Sequence, residues 1–570
     1  MWLFLNTEYQ RWSAQESLGA TLKSELLKMT PSDIEDAFAE PITFGTGGIR
    51  GLLGVGPSRL NTFTVLKALT GYARFLVATK AIPQVVIAYD NRHMSKAFSE
   101  LAARVLATHG IKAFVFASLR PTPLLSYAVR SLNAGGGIMI TASHNPKEYN
   151  GLKMYDALGC QLVPSEAAKV IDAIDQVEDY FEIKVLSLEE ALEKGLIETV
   201  SSTLDESYIK DVLTLSKKGA KSLKIGFSPQ HGTAATLGPK ILEEAGFKVF
   251  VEASQMDPDP DFKGTLSANP ENKEAFEKLV ILGQKEACDL LMTTDPDADR
   301  IGVAVLHHGS YQYLNGNQVG VLLLDQLLKE KADDKDFQDY VMFTTIVSTD
   351  MAEKMIKQAK LHYVKTLTGF KFIGEQMELL KDTPFKFLFG FEESYGYVLK
   401  DITRDKDALQ ALVAVAELAD HLKKENKTLI DQLDHLYDQY GYYLDDLENI
   451  NLKGQKGKKM IQAIMDDFRL FMPKNVIRKN LIKKEDYLAL KSYSPEGEKT
   501  LNYPKENVLK FILKDAWFVL RPSGTEPKLK IYFMVKESSK KDALNIMQEL
   551  KSEVLKRVDA ILESEREDDR

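Results

Sequence analysis

One pattern of apolar and polar positions occurs three times along the chain. Each copy has an apolar stretch, a polar turn, an amphipathic helix and a second apolar stretch, and the copies start at Val85, Leu223 and Tyr340. Short apolar strands that alternate with helices are typical of α/β layers around a largely buried sheet. Such units recur in any α/β protein, but their wide spacing favours three similar domains over a short-period solenoid.

The C-terminal part has a different pattern. A strand at Trp517–Leu520, a polar loop and an alternating strand at Leu529–Val535 precede a closing helix. That helix has one apolar stripe, formed by Leu544, Met547, Leu550, Val554, Val558 and Ile561, which predicts core packing. We therefore predict an α/β protein with three related mixed-sheet domains at residues 1–205, 206–320 and 321–435, and a smaller C-terminal α+β domain at 436–570.

Composition and charge narrow the class of protein. Of 570 residues, 44% are hydrophobic and 27% are charged, which is ordinary for a globular protein and excludes a mainly disordered or fibrous one. The formal net charge of −9 makes nucleic acid and anionic membranes poor partners. Local basic loops could still bind an anionic substrate.

Cysteine content and the N-terminus bear on location. Cys160 and Cys288 lie far apart in the sequence, so no disulfide framework is expected and a reducing cytoplasm fits. Residues Met1–Leu5 are apolar, but the basic start and long apolar core of a signal peptide are missing. No stretch of about 18 apolar residues occurs, so we expect a cytoplasmic protein without a membrane span.

A polar loop around Ser143 is the first candidate for chemistry. It follows the apolar stretch Gly136–Ile140, and Asn150-Gly151 predicts a hairpin turn at its end. A serine in such a loop can be a nucleophile or a phosphorylated residue, with His144 or Lys153 as proton handlers. It can equally be a turn serine that bonds its own backbone.

A second loop, Asp295–Arg300, carries three carboxylates at alternate positions between two apolar stretches. Asp295, Asp297 and Asp299 can converge on one hard cation, because buried like charges repel unless a cation offsets them. The loop lacks the glycine and glutamate of an EF-hand. With few protein ligands, magnesium completed by a phosphate oxygen is the expected ion; the alternative is a solvated acidic turn.

Three further loops interrupt apolar strands. Gly390–Gly396 contains adjacent acids and a serine that suit sugar hydroxyls, although a plain surface turn fits about as well. Arg521–Lys528 combines an arginine, two hydroxyls and a glycine, which favours a phosphate cradle over a tight surface loop. Phe44–Gly51 is rich in glycine and includes Arg50, which could reach an anion, but it matches no nucleotide-binding motif.

Taken together, these loops resemble those of the α-D-phosphohexomutase superfamily, and they occur in its order over almost the whole chain. The shared motifs are Thr141–Pro146, Asp295–Arg300, Glu392–Ser394 and Arg521–Thr525. The chain is most similar to the long members of the phosphoglucomutase/phosphopentomutase branch, judging from Phe44–Gly51, Thr368–Phe372 and Gly390–Gly396. The resemblance implies four domains, three with related α/β sheets and a mobile fourth.

The resemblance also implies a reaction. Glucose 1-phosphate and glucose 6-phosphate would be interconverted by a phosphorylated Ser143 that donates its phosphoryl group to the free hydroxyl of the sugar phosphate. The product, glucose 1,6-bisphosphate, would be both intermediate and activator, and would return its other phosphoryl group to Ser143. Magnesium is held by the three aspartates and an oxygen of phosphorylated Ser143. The charges support this ligand set: the aspartates and a phosphoserine of about −2 carry about −5, magnesium reduces this to about −3, and Arg300 offsets part of the remainder.

The remaining site residues take their expected roles from the same resemblance. Glu392 and Ser394 hold sugar hydroxyls, Lys371 contacts substrate from the third domain, and Arg300 is a further substrate-binding residue. The non-transferring phosphate is held by Arg521, Ser523, Gly524 and Thr525. The candidates for proton handling or charge stabilisation are Lys153, Arg50 and His144.

One departure from the family matters for the proton step. Some members carry a histidine shortly after the serine of the sugar loop, whereas Ser394 is followed here by Tyr395. We therefore place the proton role on Lys153. As a base, Lys153 needs a lowered pKa, which nearby cations could supply.

Other functions stay open from sequence alone. A phosphopentomutase, a phosphomannomutase or a hexose bisphosphate synthase would use the same scaffold. A metal-dependent phosphatase would also have acidic loops after strands, but its usual Asp nucleophile followed by Asp-Gly-Thr is absent. A non-catalytic sugar-phosphate sensor is disfavoured by the intact Ser143 and the three intact aspartates.

Overall fold

Four β-sheets organise the chain, which is described here by a computed structural model at residues 2–45, 47–79, 83–452, 454–524 and 527–568. The chain folds into two compact units. The first comprises Met1–Phe343 and Gly369–Ile430, and the second comprises Thr344–Thr368 and Asp431–Arg570. None of the described helices has the length and apolar character that a membrane span requires.

The first domain contains a six-stranded mixed sheet. Its strands are β1 (Gly48–Leu52), β2 (Gln84–Tyr89), β3 (Lys112–Val115), β4 (Gly136–Ile140), β5 (Tyr149–Tyr155) and β6 (Ile197–Thr199). Its helices are α1 (Trp2–Ser13), α2 (Ala20–Leu26), α3 (Pro31–Phe38), α4 (Thr62–Thr79), α5 (Ser95–Thr108), α6 (Thr122–Ser131), α7 (Pro164–Asp175) and α8 (Leu188–Glu193). The strand order is β1-β5-β4-β2-β3-β6. Strand β5 is antiparallel to both β1 and β4, whereas the pairs β4–β2, β2–β3 and β3–β6 are parallel.

The second domain contains a five-stranded mixed sheet. Its strands are β7 (Lys224–Ser228), β8 (Lys248–Val251), β9 (Leu290–Thr294), β10 (Ile301–His307) and β11 (Ser310–Leu314). Its helices are α9 (Ser202–Leu213), α10 (Ala234–Glu244) and α11 (Glu277–Glu286), with short 3₁₀ turns at Ala253–Gln255 and Lys273–Phe276. The order is β11-β10-β9-β7-β8.

The third domain contains a four-stranded sheet. Its strands are β12 (Tyr340–Thr345), β13 (His362–Thr366), β14 (Lys386–Glu392) and β15 (Gly396–Val398). Its helices are α12 (Gly316–Lys331), α13 (Asp350–Ala359), α14 (Phe370–Leu380), α15 (Ala408–Lys424) and α16 (Leu429–Tyr440), with a 3₁₀ turn at Phe337–Asp339. The order is β13-β12-β14-β15.

The C-terminal domain is sheet-rich. Its strands are β16 (Tyr442–Asn451), β17 (Asn475–Val476), β18 (Lys479–Asp486), β19 (Lys491–Ser494), β20 (Gly497–Thr500), β21 (Leu509–Leu513), β22 (Ala516–Pro522) and β23 (Lys528–Glu537). Its helices are α17 (Gly454–Leu470) and α18 (Lys540–Asp568). The order is β16-β23-β22-β21-β18-β19-β20, with β17 paired to β18.

The loops that carry the candidate chemistry occupy one shared position in the first three sheets. In each sheet a parallel pair is followed by an antiparallel one: β2–β4 then β4–β5, β7–β9 then β9–β10, and β12–β14 then β14–β15. The turn into the antiparallel strand carries Ser143, Asp295–Arg300 and Glu392–Ser394, respectively. This equivalence confirms the predicted fold of three related mixed sheets and a different C-terminal domain.

Local sequence explains where several elements begin. Helix α12 begins after Asn315, whose side chain accepts the N–H of Gln318 while the Gln318 side chain accepts the N–H of Asn315. Helix α15 begins after Asp407, whose carboxylate accepts two N–H groups of its first turn. These caps satisfy backbone donors that have no partner within the helix.

The predicted apolar stripe of α18 packs into the core of the C-terminal domain at Met547, Leu550, Val554 and Val558. Leu544 was expected in this stripe, but 50% of it is exposed. The neighbouring Ala543 is buried instead, so the buried face of the helix begins at Ala543.

The predicted hairpin turn at Asn150-Gly151 is wrong, because both residues lie inside β5. The Asn150 amide donates to the His93 carbonyl and the Ser95 hydroxyl, which occupies the side chain that a turn would use locally. A Cβ at Gly151 would lie 2.5 Å from the Ile49 carbonyl oxygen. The glycine therefore serves close strand approach rather than a turn.

A buried lysine lies inside the second unit. The Lys510 ammonium donates to the Ile346 carbonyl at 2.5 Å and stands 4.4 Å from the centre of the Trp517 ring. Burial, assisted by nearby Lys365, lowers the pKa of Lys510 to about 8. The opposing carboxylates are Asp350, Glu485 and Glu353.

We expect Lys510→Met to remove a pH dependence of stability. An unfolded lysine has a pKa of about 10.4, so the unfolded chain binds more protons between about pH 8 and pH 10.4, and the free energy of unfolding rises with pH there. Urea unfolding followed by tryptophan fluorescence should show a rise of about 1 to 3 kcal/mol for the wild type. Lys510→Met should lack this contribution, so its free energy of unfolding should rise about 1 to 3 kcal/mol less than that of the wild type over the same pH range. The exposed Lys499→Met should match the wild type; a Lys510→Met profile parallel to that of the wild type would contradict this.

Candidate active site

Ser143 lies in the turn between β4 and β5 in a constrained backbone. Its φ is 52°, in the left-handed region that few non-glycine residues adopt. Its N–H donates to the Thr141 hydroxyl at 2.8 Å, and the residue is only 3% exposed. The Ser143 hydroxyl donates to Asp295 Oδ2 at 2.6 Å and lies 3.2 Å from His144 Nδ1. Ser143 is therefore held at the edge of the acidic loop, beside the predicted His144.

The three aspartates of that loop form a buried cluster. One carboxylate oxygen from each of Asp295, Asp297 and Asp299 lies within 4.8 Å of the others, and all three residues are at most 2% exposed. Asp297 Oδ1 and Asp299 Oδ1 are buried without a hydrogen-bond partner among the described residues. Buried anionic oxygens in this state fit a hard divalent cation such as magnesium.

The cluster is electrostatically uneven. Burial, together with Asp297 and Asp299, raises the pKa of Asp295 well above its usual value. Burial also acts on Asp299, but Lys153, Lys406 and Arg300 outweigh it and lower the pKa of that carboxyl. The three carboxylates therefore do not share charge equally, and one of them is unfavourable in its charged form without a further cation.

Two lysines reach the cluster. Lys153 Nζ lies 2.6 Å from Asp297 Oδ2 and 3.1 Å from Asp299 Oδ2. Lys406 Nζ lies 3.2 Å from Asp299 Oδ2 and 3.0 Å from Asp405 Oδ1. Lys406 was missed from sequence, although the charged run that contains it directly precedes an apolar helix. Both ammonium groups offset the negative charge of the aspartates.

Lys153 does not have the lowered pKa that a role as a base would need. Burial and Lys406 lower it, but Asp297 and Asp299 outweigh them and the pKa of Lys153 is raised. The cause is that the closest charged groups are carboxylates rather than cations. Lys153 is thus an ammonium that can donate a hydrogen bond or a proton.

The two predicted arginines, Arg50 and Arg300, have different hydrogen-bond partners. Arg50, on β1, pairs in register with Gly151 of β5, and its guanidinium donates to Asn145 Oδ1 at 3.0 Å. Arg300 donates to Glu271 Oε1 at 2.5 Å, and the same carboxylate helps to raise the pKa of Arg300 against the effect of burial. Arg50 therefore contacts the serine loop, whereas Arg300 is anchored to Glu271.

The predicted sugar-binding residues of the third domain, Glu392, Lys371 and Ser394, lie at the ends of β14 and α14 and in the turn after β14. Glu392 ends β14, is 3% exposed, and accepts the N–H of Gly369 at 2.7 Å. Gly369 has a φ of 121° and precedes α14, whose first turn holds the buried Lys371. Ser394 lies in the next turn and is partly exposed. Glu392 and Lys371 are thus brought to adjoining ends of β14 and α14.

Backbone bonds join the loops of the first three domains. The Ile301 N–H, directly after the acidic loop, donates to the Tyr395 carbonyl at 3.1 Å. Thr122, at the start of α6, donates its N–H to the Asp297 carbonyl and its hydroxyl to Asp297 Oδ2. The structure therefore brings the serine, aspartate and sugar loops together. Thr122 was missed from sequence because it lies far from any of the polar loops.

The predicted phosphate loop lies in the second compact unit. Arg521 is near the end of β22, and the Ser523 N–H donates to the Lys528 carbonyl at 2.7 Å. Gly524 is exposed, and a Cβ there would meet nothing within 4 Å. Thr525 lies outside the described residues, as does Thr46 of the glycine-rich loop. The described part of this loop is thus open around Gly524.

Comparison with known proteins gives one consistent result. Four domains described as phosphoglucomutase/phosphomannomutase match in order: alpha/beta/alpha domain I at residues 41–181, domain II at 206–309, domain III at 315–440 and the C-terminal domain at 449–551. A phosphoglucomutase of Staphylococcus aureus (strain USA300) is 39% identical over 513 residues, which cover 89% of this chain and 92% of the relative.

Solved structures share the fold at lower identity. A phosphoglucomutase/phosphomannomutase family protein from Burkholderia thailandensis has a TM-score of 0.64 and 16% identity, covering 90% of this chain and 97% of that one. The open form of parafusin, a phosphoglucomutase from Paramecium, has a TM-score of 0.64 and 18% identity, covering 92% and 96%.

Proposed function

The chain belongs to the phosphoglucomutase/phosphomannomutase family, and from that premise we propose that it interconverts α-D-glucose 1-phosphate and glucose 6-phosphate through a phosphoserine at Ser143. As a family member it is a mutase, an isomerase-type phosphotransferase. The observation that carries the proposal is the buried Ser143 hydroxyl, 2.6 Å from one carboxylate of a three-aspartate cluster.

Asp295, Asp297 and Asp299, with an oxygen of phosphorylated Ser143, would hold the magnesium ion. Asp297 Oδ1 and Asp299 Oδ1, buried without a hydrogen-bond partner among the described residues, support this ligand set. When bound, magnesium supplies positive charge for the transferring phosphoryl group, whose displacement depends mainly on positioning and electrostatics.

The chain's own residues then account for the transfer. The bond between phosphorus and the Ser143 oxygen breaks as phosphorus bonds to the oxygen of the free sugar hydroxyl. That hydroxyl loses its proton and the Ser143 oxygen gains one, which gives glucose 1,6-bisphosphate and a free serine hydroxyl. That intermediate then reorients in the site, and its other phosphoryl group is transferred to Ser143. Lys153 suits the step in which an oxygen leaves phosphorus, because its ammonium can give that oxygen a hydrogen bond or a proton. Arg50 and His144 stabilise charge beside Ser143.

Both ends of the sugar phosphate need binding groups for this cycle. Glu392, Ser394 and Lys371 would hold the sugar, and Arg300 would contribute charge next to the aspartates. The non-transferring phosphate would be held by Arg521, Ser523, Gly524 and Thr525. The open backbone at Gly524 supports a phosphate cradle, since N–H groups near a glycine can point at an anion.

Arg521→Ala should separate substrate binding from phosphorylation of the enzyme. Losing a charge-assisted arginine–phosphate contact should raise KM for glucose 1-phosphate about 10- to 100-fold. Ser143 should still accept phosphate from glucose 1,6-bisphosphate at high concentration. Steady-state kinetics and intact mass measure the two effects. The matched control is Arg478→Ala, because Arg478 is exposed in the same unit; an unchanged KM in Arg521→Ala would refute the cradle.

The sugar preference is tested by one side-by-side assay. The 1-phosphates of glucose, mannose, glucosamine and ribose are supplied with magnesium and a trace of hexose 1,6-bisphosphate. Fastest conversion of glucose 1-phosphate supports the proposal. Fastest conversion of ribose or mannose phosphate would make the protein a phosphopentomutase or phosphomannomutase.

A further inference from the structure

Arg92 binds the backbone of the serine loop from within the first domain. It follows β2 and is 3% exposed. Its Nη2 donates hydrogen bonds to the Ser143 carbonyl at 2.6 Å and to the Asn145 carbonyl. Its Nη1 donates to the carbonyls of Pro146 at 2.8 Å and Tyr149 at 3.0 Å. One guanidinium therefore donates hydrogen bonds to four backbone carbonyls, including that of Ser143, whose backbone is in the left-handed conformation.

Arg92 is itself held from two sides. Its Nε lies 3.4 Å from Asp90 Oδ2, and both side chains are fully buried; Asp90 is fixed in turn by the Ser95 hydroxyl at 2.6 Å. The second contact comes from the domain that carries the aspartate cluster. The Arg92 guanidinium carbon stands 5.2 Å from the centre of the Phe262 ring, within the range of a cation–π interaction.

The backbone around Phe262 is unusual. Phe262 is 8% exposed and has a φ of 51°, a genuine outlier for a bulky side chain. The ends of its loop are joined by the buried His231, whose ring nitrogens lie 2.8 Å from the Asp257 carbonyl and 3.1 Å from the Lys263 carbonyl. Such strained backbone persists only where surrounding contacts determine it, and it clusters at functional sites.

We propose that Arg92 is a positioning residue for Ser143, and that Phe262 fixes Arg92 from the second domain. The domain that supplies the aspartates thereby also sets the backbone of the nucleophile. Arg92 bonds carbonyls and not the reacting hydroxyl, so it acts by holding Ser143 where its oxygen meets the phosphoryl group. This inference rests on the proposed phosphoserine function.

The test compares two phenylalanines in the second domain. Phe262→Leu removes the ring beneath Arg92. Phe247→Leu is the matched control, because Phe247 is also buried and carries a cation, Lys221 Nζ, at the same 5.2 Å from its ring centre. Phe262→Leu should lower kcat about tenfold or more with KM within about twofold, since misplacing a nucleophile costs rate rather than binding. Phe247→Leu should leave both constants within about twofold of the wild type.

A chemical rescue extends the test to the guanidinium. Arg92→Ala removes the bonds to the loop, and added guanidinium ion should restore part of its kcat as concentration rises, whereas sodium ion should not. If Arg92→Ala does not fold, Phe262→Leu alone decides. Equal loss of kcat in Phe262→Leu and Phe247→Leu, or no loss in either, would overturn the inference.

Phosphate uptake distinguishes this failure from failure of the proposed function. Wild type and Phe262→Leu are mixed with glucose 1,6-bisphosphate, and phosphate on Ser143 is followed by mass with time. We expect uptake by both, more slowly in the variant. Equal rates would overturn the positioning role alone, whereas no uptake by the wild type would overturn the phosphoserine function and this inference with it.

Discussion

Ser143→Ala should abolish isomerisation of glucose 1-phosphate, with a fall in kcat of at least about three orders of magnitude. The reason is that the proposed reaction passes through a covalent phosphoryl group on the serine oxygen, and alanine offers no oxygen at that position. In the proposed mechanism the neighbouring His144 and Lys153 handle protons and charge, and neither takes the place of the nucleophile. A coupled assay for glucose 6-phosphate, with glucose 1,6-bisphosphate present, measures the loss.

A second buried serine in the same domain provides the control. Ser99 is 3% exposed, and its hydroxyl donates to the Lys96 carbonyl at 2.7 Å within α5. Ser99→Ala removes a comparable buried hydroxyl without touching the site, and its kcat should stay within about twofold of the wild type. Substantial activity in Ser143→Ala would mean that phosphate does not pass through this residue.

Asp295→Asn should remove magnesium binding while leaving the fold intact. The Asn side-chain oxygen can still accept the N–H groups of Asp299 and Arg300, both 3.0 Å from Asp295 Oδ1. One charge of the buried cluster is lost, so magnesium affinity should fall at least about 100-fold and kcat about 1000-fold. Without magnesium the variant should be at least as stable as the wild type, because like charges no longer repel.

Thermal unfolding with and without magnesium measures both the predicted loss of magnesium binding and the predicted stability of the variant without magnesium. At a concentration of 100 times Kd, magnesium should stabilise the wild type by about 2.7 kcal/mol, and it should not stabilise Asp295→Asn. The control is Asp325→Asn, because Asp325 is a buried aspartate of α12 that pairs with Lys329 at 2.7 Å. A full magnesium shift in Asp295→Asn would contradict the ligand assignment.

The parts of the fold that sequence predicted are those with local signals. Alternation of short apolar strands and helices located all three repeats, and the polar turns after β4, β9 and β14 stood out against apolar flanks. The hairpin predicted at Asn150-Gly151 was wrong because both residues make contacts that are distant in sequence. Asn150 bonds to residues near Ser95, and Gly151 pairs with β1. The predicted burial of Leu544 was wrong because the neighbouring Ala543 is the buried residue at the start of α18.

The site shows the same division between local and distant effects. Dense motifs identified Ser143 and the three aspartates as a group, and the structure places them together. Arg92, Thr122 and Lys406 were missed, since each acts on a loop from another part of the chain. The direction of the pKa of Lys153 also depends on Asp297 and Asp299, which are far away in sequence, so no local pattern could reveal it.

The central claim is that Ser143 carries the phosphoryl group, and intact mass tests it most directly. The wild type is incubated with glucose 1,6-bisphosphate and magnesium, after which one portion is digested to locate the modification and a second, undigested portion is chased with glucose 1-phosphate. We predict one phosphoryl group on Ser143 that the chase transfers to sugar, giving hexose bisphosphate. Absence of the added mass, modification of a different residue, or a phosphoserine that the sugar phosphate cannot discharge would contradict the account.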